Sequence, residues 1–269
     1  MGTRSRLTGF VRSVRRILAD KPQIPPSLEE NAALAVVLKR RSVRSFDDKE
    51  IPDDAFAAIL EAGRLAPSTV NLQTWSLAVF TPALWRETFG RSMPFDGARA
   101  VVVMGDTHRV RLALDAFPQS PMVEYTIAVM NASLAAMNMN IAAEALGVSS
   151  VMLSETGRTG LLDAGYLKEK LGLPERVVPL LTIVFGYRRG PAPPMPPKLP
   201  VEEICFEGRY REPGEGVMEE WLAEMKAGYR ASHPLSSFEG QLRVYMGKID
   251  EAEAALQAMV GAGREPTRG

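Results

Sequence analysis

Lys39-Arg40-Arg41-Ser42-Val43-Arg44-Ser45-Phe46, then an amphipathic helix, then Ala66-Pro67-Ser68-Thr69-Val70-Asn71-Leu72-Gln73-Thr74-Trp75 is the stretch from which the rest of the chain is read. Arg40, Arg41 and Arg44 beside Ser42 make an anion cradle. Guanidinium forks donate in pairs to phosphate oxygens, and the hydroxyl adds a further donor. The loop opened by Pro67 offers Ser68, Asn71 and Gln73, hydroxyl and amide groups suited to something planar and polar. Alone, an arginine cluster reads equally as a solvated face, and Pro-Ser-x-x-Asn as a turn with local side-chain bonds. The two in this order, one helix apart, form a more specific pattern.

The flanking sequence supplies the scaffold. Ser27-Leu28-Glu29-Glu30 has the form of a capping box, and Leu34, Val37 and Leu38 give the following helix an apolar stripe that ends at the arginines. Pro52-Asp53 start a second helix, with Ala55, Phe56, Ile59, Leu60 and Leu65 expected to face inward. Strands are expected at Trp75 to Phe80 and Ala100 to Met104, with Thr81-Pro82 starting a short helix through Phe89. Asp106 to Pro121 has no clear period and reads as a lid, as a wall of a substrate site or as a surface excursion.

Glu124 to Gly147 is the longest helix, apolar almost all round, and so expected to be buried and, in a homo-oligomer, a candidate for the interface. Its methionines read as packing rather than as a cofactor box. A strand at Val148 to Leu153 runs into Ser154-Glu155-Thr156-Gly157, a helix covers Leu161 to Leu171, and Val177 to Phe185 is the last core strand. Residues 188–200 form a proline-rich, stiff connector carrying Lys198. Ile204 to Tyr210 are expected to add an edge strand. Helices follow at 216–230 and 236–260, the second with a four-three apolar seam from Phe238 to Met259 that packs on its own or a neighbouring subunit.

Composition narrows the function. The 269 residues are 46% apolar and 24% charged, ordinary for a globular protein. Lys+Arg 32 balances Asp+Glu 32, so nothing global points to nucleic acid. A lone cysteine, Cys205, excludes an intrachain disulfide and a multi-cysteine metal site, and His108 and His233 are too few for a histidine-rich centre. No metal site is expected, and chemistry here has to come from a cofactor. No run approaches the ~18 apolar residues of a membrane span. Arg4, Arg6, Arg12, Arg15 and Arg16 line a basic amphipathic segment over 4–18 that suits packing on its own domain or on a partner subunit better than lying on an anionic membrane. No cleavage pattern follows it, so a cytoplasmic protein without membrane association is expected.

The two motifs together resemble the FMN-dependent nitroreductase family, whose patterns are Arg-Arg-Ser-x-Arg and Ala-Pro-Ser-x-x-Asn-x-Gln-Pro-Trp. Thr74 departs from it, standing where proline is usual, while Asn71, Gln73 and Trp75 remain. The likeness continues through Ala143-Glu144-Ala145-Leu146-Gly147-Val148 and Val184-Phe185-Gly186-Tyr187, covering residues 28–207.

The resemblance implies an α+β fold, a central, mostly antiparallel sheet covered by helices in an intertwined homodimer. Residues 1–26 are then a basic arm, 27–207 the FMN-binding domain and 208–269 a helical extension. It further implies that Arg40, Arg41, Ser42 and Lys198 hold the FMN phosphate and ribityl chain, with Arg44 near the pyrimidine edge. Pro67, Ser68 and Asn71 approach the ring from the other subunit, and Met152, Leu153 and Ser154 run along it with a backbone N–H near N5. Hydride from NADH or NADPH arrives at N5 without a side-chain acid or base, so no catalytic residue is named. Nitroaromatics, quinones or similar planar acceptors would then be reduced in ping-pong fashion. Reductive dehalogenation or flavin fragmentation on the same fold, or a non-enzymatic flavin-binding protein, stay open as alternatives.

Overall fold

Arg99–Asp106, whose side chains are almost all buried, forms an inner strand of a four-stranded sheet. In this computed structural model the described residues are 24–114, 117, 120–154, 158–232 and 237–261, with Val11, Val14 and Arg15. The expected basic helix over 4–18 lies outside them apart from those three residues, as do His233 and the turn at 155–157. The chain divides into two compact units. One comprises the described residues of Met1–Glu29 and Pro193–Val244; the other is Glu30–Ala192 with Tyr245–Gly269.

The larger unit begins with α1 (Ala32–Lys39) and α2 (Asp53–Arg64), followed by β1 (Trp75–Phe80) and α3 (Pro82–Phe89). Next come β2 (Arg99–Asp106), a single turn α4 (His108–Arg111), and the long α5 (Pro121–Ala145). β3 (Ser149–Leu153), α6 (Ala164–Leu171) and β4 (Val177–Gly186) complete it. Strand order is β1-β2-β4-β3, every neighbouring pair antiparallel.

Alternation along β2 sends Val101 and Val103 to one face, with Phe56, Ile59, Ala132, Ala135, Ala136 and Met139. Ala100, Val102 and Met104 go to the other, with Phe80, Trp85, Phe89 and Leu167. Both faces are covered, which is why the strand reads as a continuous apolar run. α5 packs against all four strands and α2, and its alanines permit that close approach.

Several boundaries differ from expectation for identifiable reasons. The expected capping box does not form: Pro26–Leu28 make a 3₁₀ turn, and α1 starts after Asn31, whose Oδ1 accepts from Leu34 N at 3.1 Å. Leu65 is exposed rather than inward, because α2 ends there and the chain turns away. The strand expected at 204–210 is absent among the described residues. Pro200 instead starts a helical turn, α7 (Val201–Ile204), and Gly208 at φ 75° breaks any extended run. In the smaller unit α8 (Val217–Ser232) meets the start of α9 (Phe238–Gly261) through Lys226–Glu239 at 2.9 Å. Later in α9, Ala252 and Met259 are buried and Leu256 packs on the main core, so that half of the seam faces its own chain.

The irregular stretch after β2 is pinned by a buried carboxylate. Glu124 is 3% exposed and accepts from Thr107, from Arg176 and from Arg111 at 3.0 Å. Arg111 also donates to Phe117 O. Burial alone raises this carboxyl, but the hydrogen bonds from Arg111, Thr107 and Arg176 outweigh it and hold the pKa below the usual carboxylate range. A depressed folded pKa adds stability above about pH 4.3 and loses it as pH falls through the folded value. Glu124→Gln should lower unfolding free energy at pH 7 by about 3 kcal/mol, since it faces two guanidiniums with a neutral amide. Denaturant titrations at pH 7 and below pH 4 check this: the variant should show a smaller acid-dependent loss than the wild type.

Candidate cofactor site

α1 ends at Lys39, and Arg40 leaves the helix in extended conformation, so the arginine motif starts at a helix C-terminus. From there the chain runs beside the outer edge of β3. Ser42 bridges Ser150 in parallel, and Val43 N donates to Ser150 O at 3.0 Å. Further on, Asp47 N donates to Tyr187 O and Arg189 N to Ser45 O. Val43 and Phe46 are buried and act as anchors, which leaves Arg44 exposed between them. Phe46 packs so closely on Gly186 that a Cβ there would stand 2.8 Å from its ring, a space only glycine leaves.

The motif gathers positive charge around one carboxylate. Burial raises the Glu144 carboxyl, and Arg40, Arg188 and Arg41 oppose that rise through their charge. Arg188 thus joins the two predicted arginines; it was missed because it follows the last strand and belongs to no motif. Arg41 is oriented by donating to Leu38 O and Arg40 O, both at 2.8 Å.

β3 continues the site. Ser150 directs its carbonyl away from β4 to Val43, so by the two-residue period Met152 also presents its N–H and C=O outward. Met152 and Leu153 are half-buried and Ser154 exposed. Gly160 crosses behind them: a Cβ on it would lie 2.6 Å from Ser154 Cα. Ser150 Oγ donates to Asn140 Oδ1 on α5, which supports the strand from beneath.

The second motif is a tightly wound loop. Val70, Asn71 and Gln73 all have left-handed φ, 50°, 57° and 49°. Ser68 Oγ accepts from Gln73 N at 3.1 Å and keeps its own hydrogen to donate; Pro67 and Asn71 are exposed. Asn131 on α5 holds both ends of the loop. Its Oδ1 accepts from Thr69 N at 3.1 Å and its Nδ2 donates to Thr74 Oγ1 at 2.8 Å. Thr74, the departure from the family pattern, is fully buried by this contact. Beside the loop a pocket of about 630 Å³ is lined by Leu72, Gln73, Trp75, Ser76, Arg64 and Arg109. Arg109 donates to Asp106 and to the carbonyl of Trp75, so its charge fixes the loop's exit.

The two motifs do not meet within one chain. The arginine motif lies along β3 and the loop feeds β1, the two edge strands of the sheet. Three interstrand spacings of ~4.8 Å separate those edges by about 14 Å. Lys198 is exposed in the other compact unit.

A layered α+β fold with an arginine-bearing strand edge and a separate polar loop defines a class, and sequence comparison places the chain within it. The chain belongs to the nitroreductase family: the profile described as "Nitroreductase family" matches residues 37–93 and 86–187. An Archaeoglobus fulgidus protein, provisionally named NADH dehydrogenase/NAD(P)H nitroreductase, is 32% identical over 160 residues, 57% of this chain and 84% of that one. The NADPH-flavin oxidoreductase of Vibrio harveyi is 25% identical over 204 residues, covering 74% and 83%. The solved NADPH:FMN oxidoreductase of Vibrio harveyi complexed with NAD+ superposes with a TM-score of 0.68 at 23% identity, over 87% of this chain and all of that one. The antiparallel sheet under helices matches the expected α+β class.

Val70 carries a local strain that can be measured. A β-branched residue in the left-handed region is unfavourable by about 1–2 kcal/mol, and at 86% exposure Val70 recovers little through packing. Val70→Gly should therefore raise unfolding free energy by about 1 kcal/mol in denaturant titration of the apoprotein.

Proposed function

We propose that the protein is an FMN-dependent oxidoreductase that takes two electrons from NADH or NADPH and passes them to a nitroaromatic, quinone or similar planar acceptor, releasing nicotinamide before the acceptor enters. The observation that carries this reading is the arginine segment bridged to the outward-facing edge of β3. It supplies cations, a hydroxyl and a backbone N–H along one line, the donor set that a phosphorylated, planar, electron-accepting group needs. The names of the relatives, NAD(P)H nitroreductase and NADPH-flavin oxidoreductase, support the same reading.

In this reading Arg40, Arg41 and Ser42 bind the phosphate end. Arg44, exposed beside them, faces the ring edge that gains negative charge on reduction. Met152, Leu153 and Ser154 lie along the ring. Bound FMN supplies the hydride-accepting centre, so the chain's residues orient and exclude water rather than exchange protons. With the motifs on opposite edges of one sheet, Pro67, Ser68 and Asn71 reach a flavin only from a second copy.

A surface for that copy exists on α5. Val123, Met130, Leu134 and Met137 are exposed by 57%, 55%, 44% and 38%. With half-buried Ile127 and Ile141 they repeat at four-three spacing, the seam two helices bury against each other. The homodimer is therefore part of the proposal.

Purified protein should be yellow and bleach when NADH or NADPH is added; protein that stays colourless after incubation with FMN overturns the reading. Arg40→Ala should weaken FMN binding roughly ten- to a hundredfold, since a charged hydrogen bond contributes about 1.5–3 kcal/mol. Fluorescence titration of the apoprotein measures it. Met130→Glu, placing charge in the seam, should convert dimer to monomer by light scattering and release FMN with it; a monomer that holds FMN as tightly would contradict the shared site.

A further inference from the structure

The 69–74 loop has an unusual support. Val70, Asn71 and Gln73 are held left-handed without a glycine among them. Ties within the loop are local: Asn71 N to Ser68 O, Leu72 N to Thr69 O and Gln73 N to Ser68 Oγ. Local bonds of this kind fit many turn shapes and do not choose one. The link from both ends of the loop to the helix is Asn131, 1% exposed in the middle of α5, whose single amide accepts from Thr69 N and donates to Thr74 Oγ1. At the exit, Asp106 N on β2 donates to Thr74 O at 3.0 Å, and Arg109 donates to Trp75 O and, at 3.5 Å, to Gln73 O.

A planar amide with acceptor and donor on opposite arms fixes the distance between Thr69 and Thr74. Fixing both ends of so short a segment forces the residues between them to coil tightly. Threonine leaves its own φ free to vary, and here a buried hydrogen bond to α5 stiffens the position.

The geometry points to Asn131 as a positioning residue. Through the Thr74 hydroxyl it holds the loop in the one shape that presents Ser68 and Asn71 to a flavin, and so sets how tightly FMN is bound. This rests on the flavin reading of the loop given above. Thr74→Val keeps the shape of the side chain and removes the hydroxyl, leaving Asn131 Nδ2 buried without that acceptor. Thr74→Ser restores the hydroxyl.

The test is fluorescence titration of FMN into apoprotein of the wild type, Thr74→Val and Thr74→Ser, each first shown by thermal melt to be folded at the titration temperature. The expected result is a Kd raised about tenfold in Thr74→Val and within about twofold of wild type in Thr74→Ser. A lowered melting temperature with unchanged Kd in Thr74→Val makes Asn131 structural only and overturns the proposal while leaving the flavin reading intact. Equal weakening in both variants overturns the role of the hydroxyl. Wild-type protein that takes up no FMN overturns the proposal and the flavin reading together.

Discussion

The packing of α5 across the sheet is the constraint on which the other features depend. The helix touches every strand, and its alanines bring its backbone close enough for short polar side chains to reach neighbouring segments. Glu124 near its start collects the stretch after β2, Asn131 in its middle holds the second motif, and Asn140 near its end supports Ser150. A polar group in so apolar a helix is unfavourable unless it is bonded. Each of these is bonded to a segment bearing on the site or on the loop beside it, so the rigidity of the core is passed directly to irregular backbone.

That arrangement explains how a polar, strained loop is sustained. Left-handed Val70 is unfavourable alone, and such conformations persist where the surroundings over-determine them. Asn131, bonded to Thr69 N and Thr74 Oγ1, together with Asp106 N and Arg109 at the loop's exit, provides that surrounding. The arginine motif is built on the opposite logic. Val43 and Phe46 bury, and Arg44 and Ser45 between them stay exposed, with Gly186 providing the close fit beneath Phe46.

The same helix has an inner and an outer role. Inward it is the hub of one chain; outward its four-three stripe has the form of an interface. In the proposed homodimer both roles fall on one helix, which ties the loop of the second motif to the surface that would recruit a second copy.

By itself the sequence marked the four strands of the sheet and both motifs, and the α+β class followed from the family that those motifs resemble. The strands and motifs rest on short-range patterns: unbroken apolar runs, Pro and Gly punctuation, and arginines beside a hydroxyl. It did not disclose that the capping box at Ser27 fails, because Asn31 competes for the same helix end and wins with a direct bond to Leu34 N. It also marked a strand at 204–210 where Pro200 and Gly208 impose a helical turn and a break. Asn131, Asn140, Glu124 and Arg188 could be suspected only as polar residues in or beside apolar runs, since their partners lie far away in sequence. Only the tertiary structure decided that the two motifs stand on opposite edges of one sheet, because strand order is set by long-range pairing that no local pattern encodes.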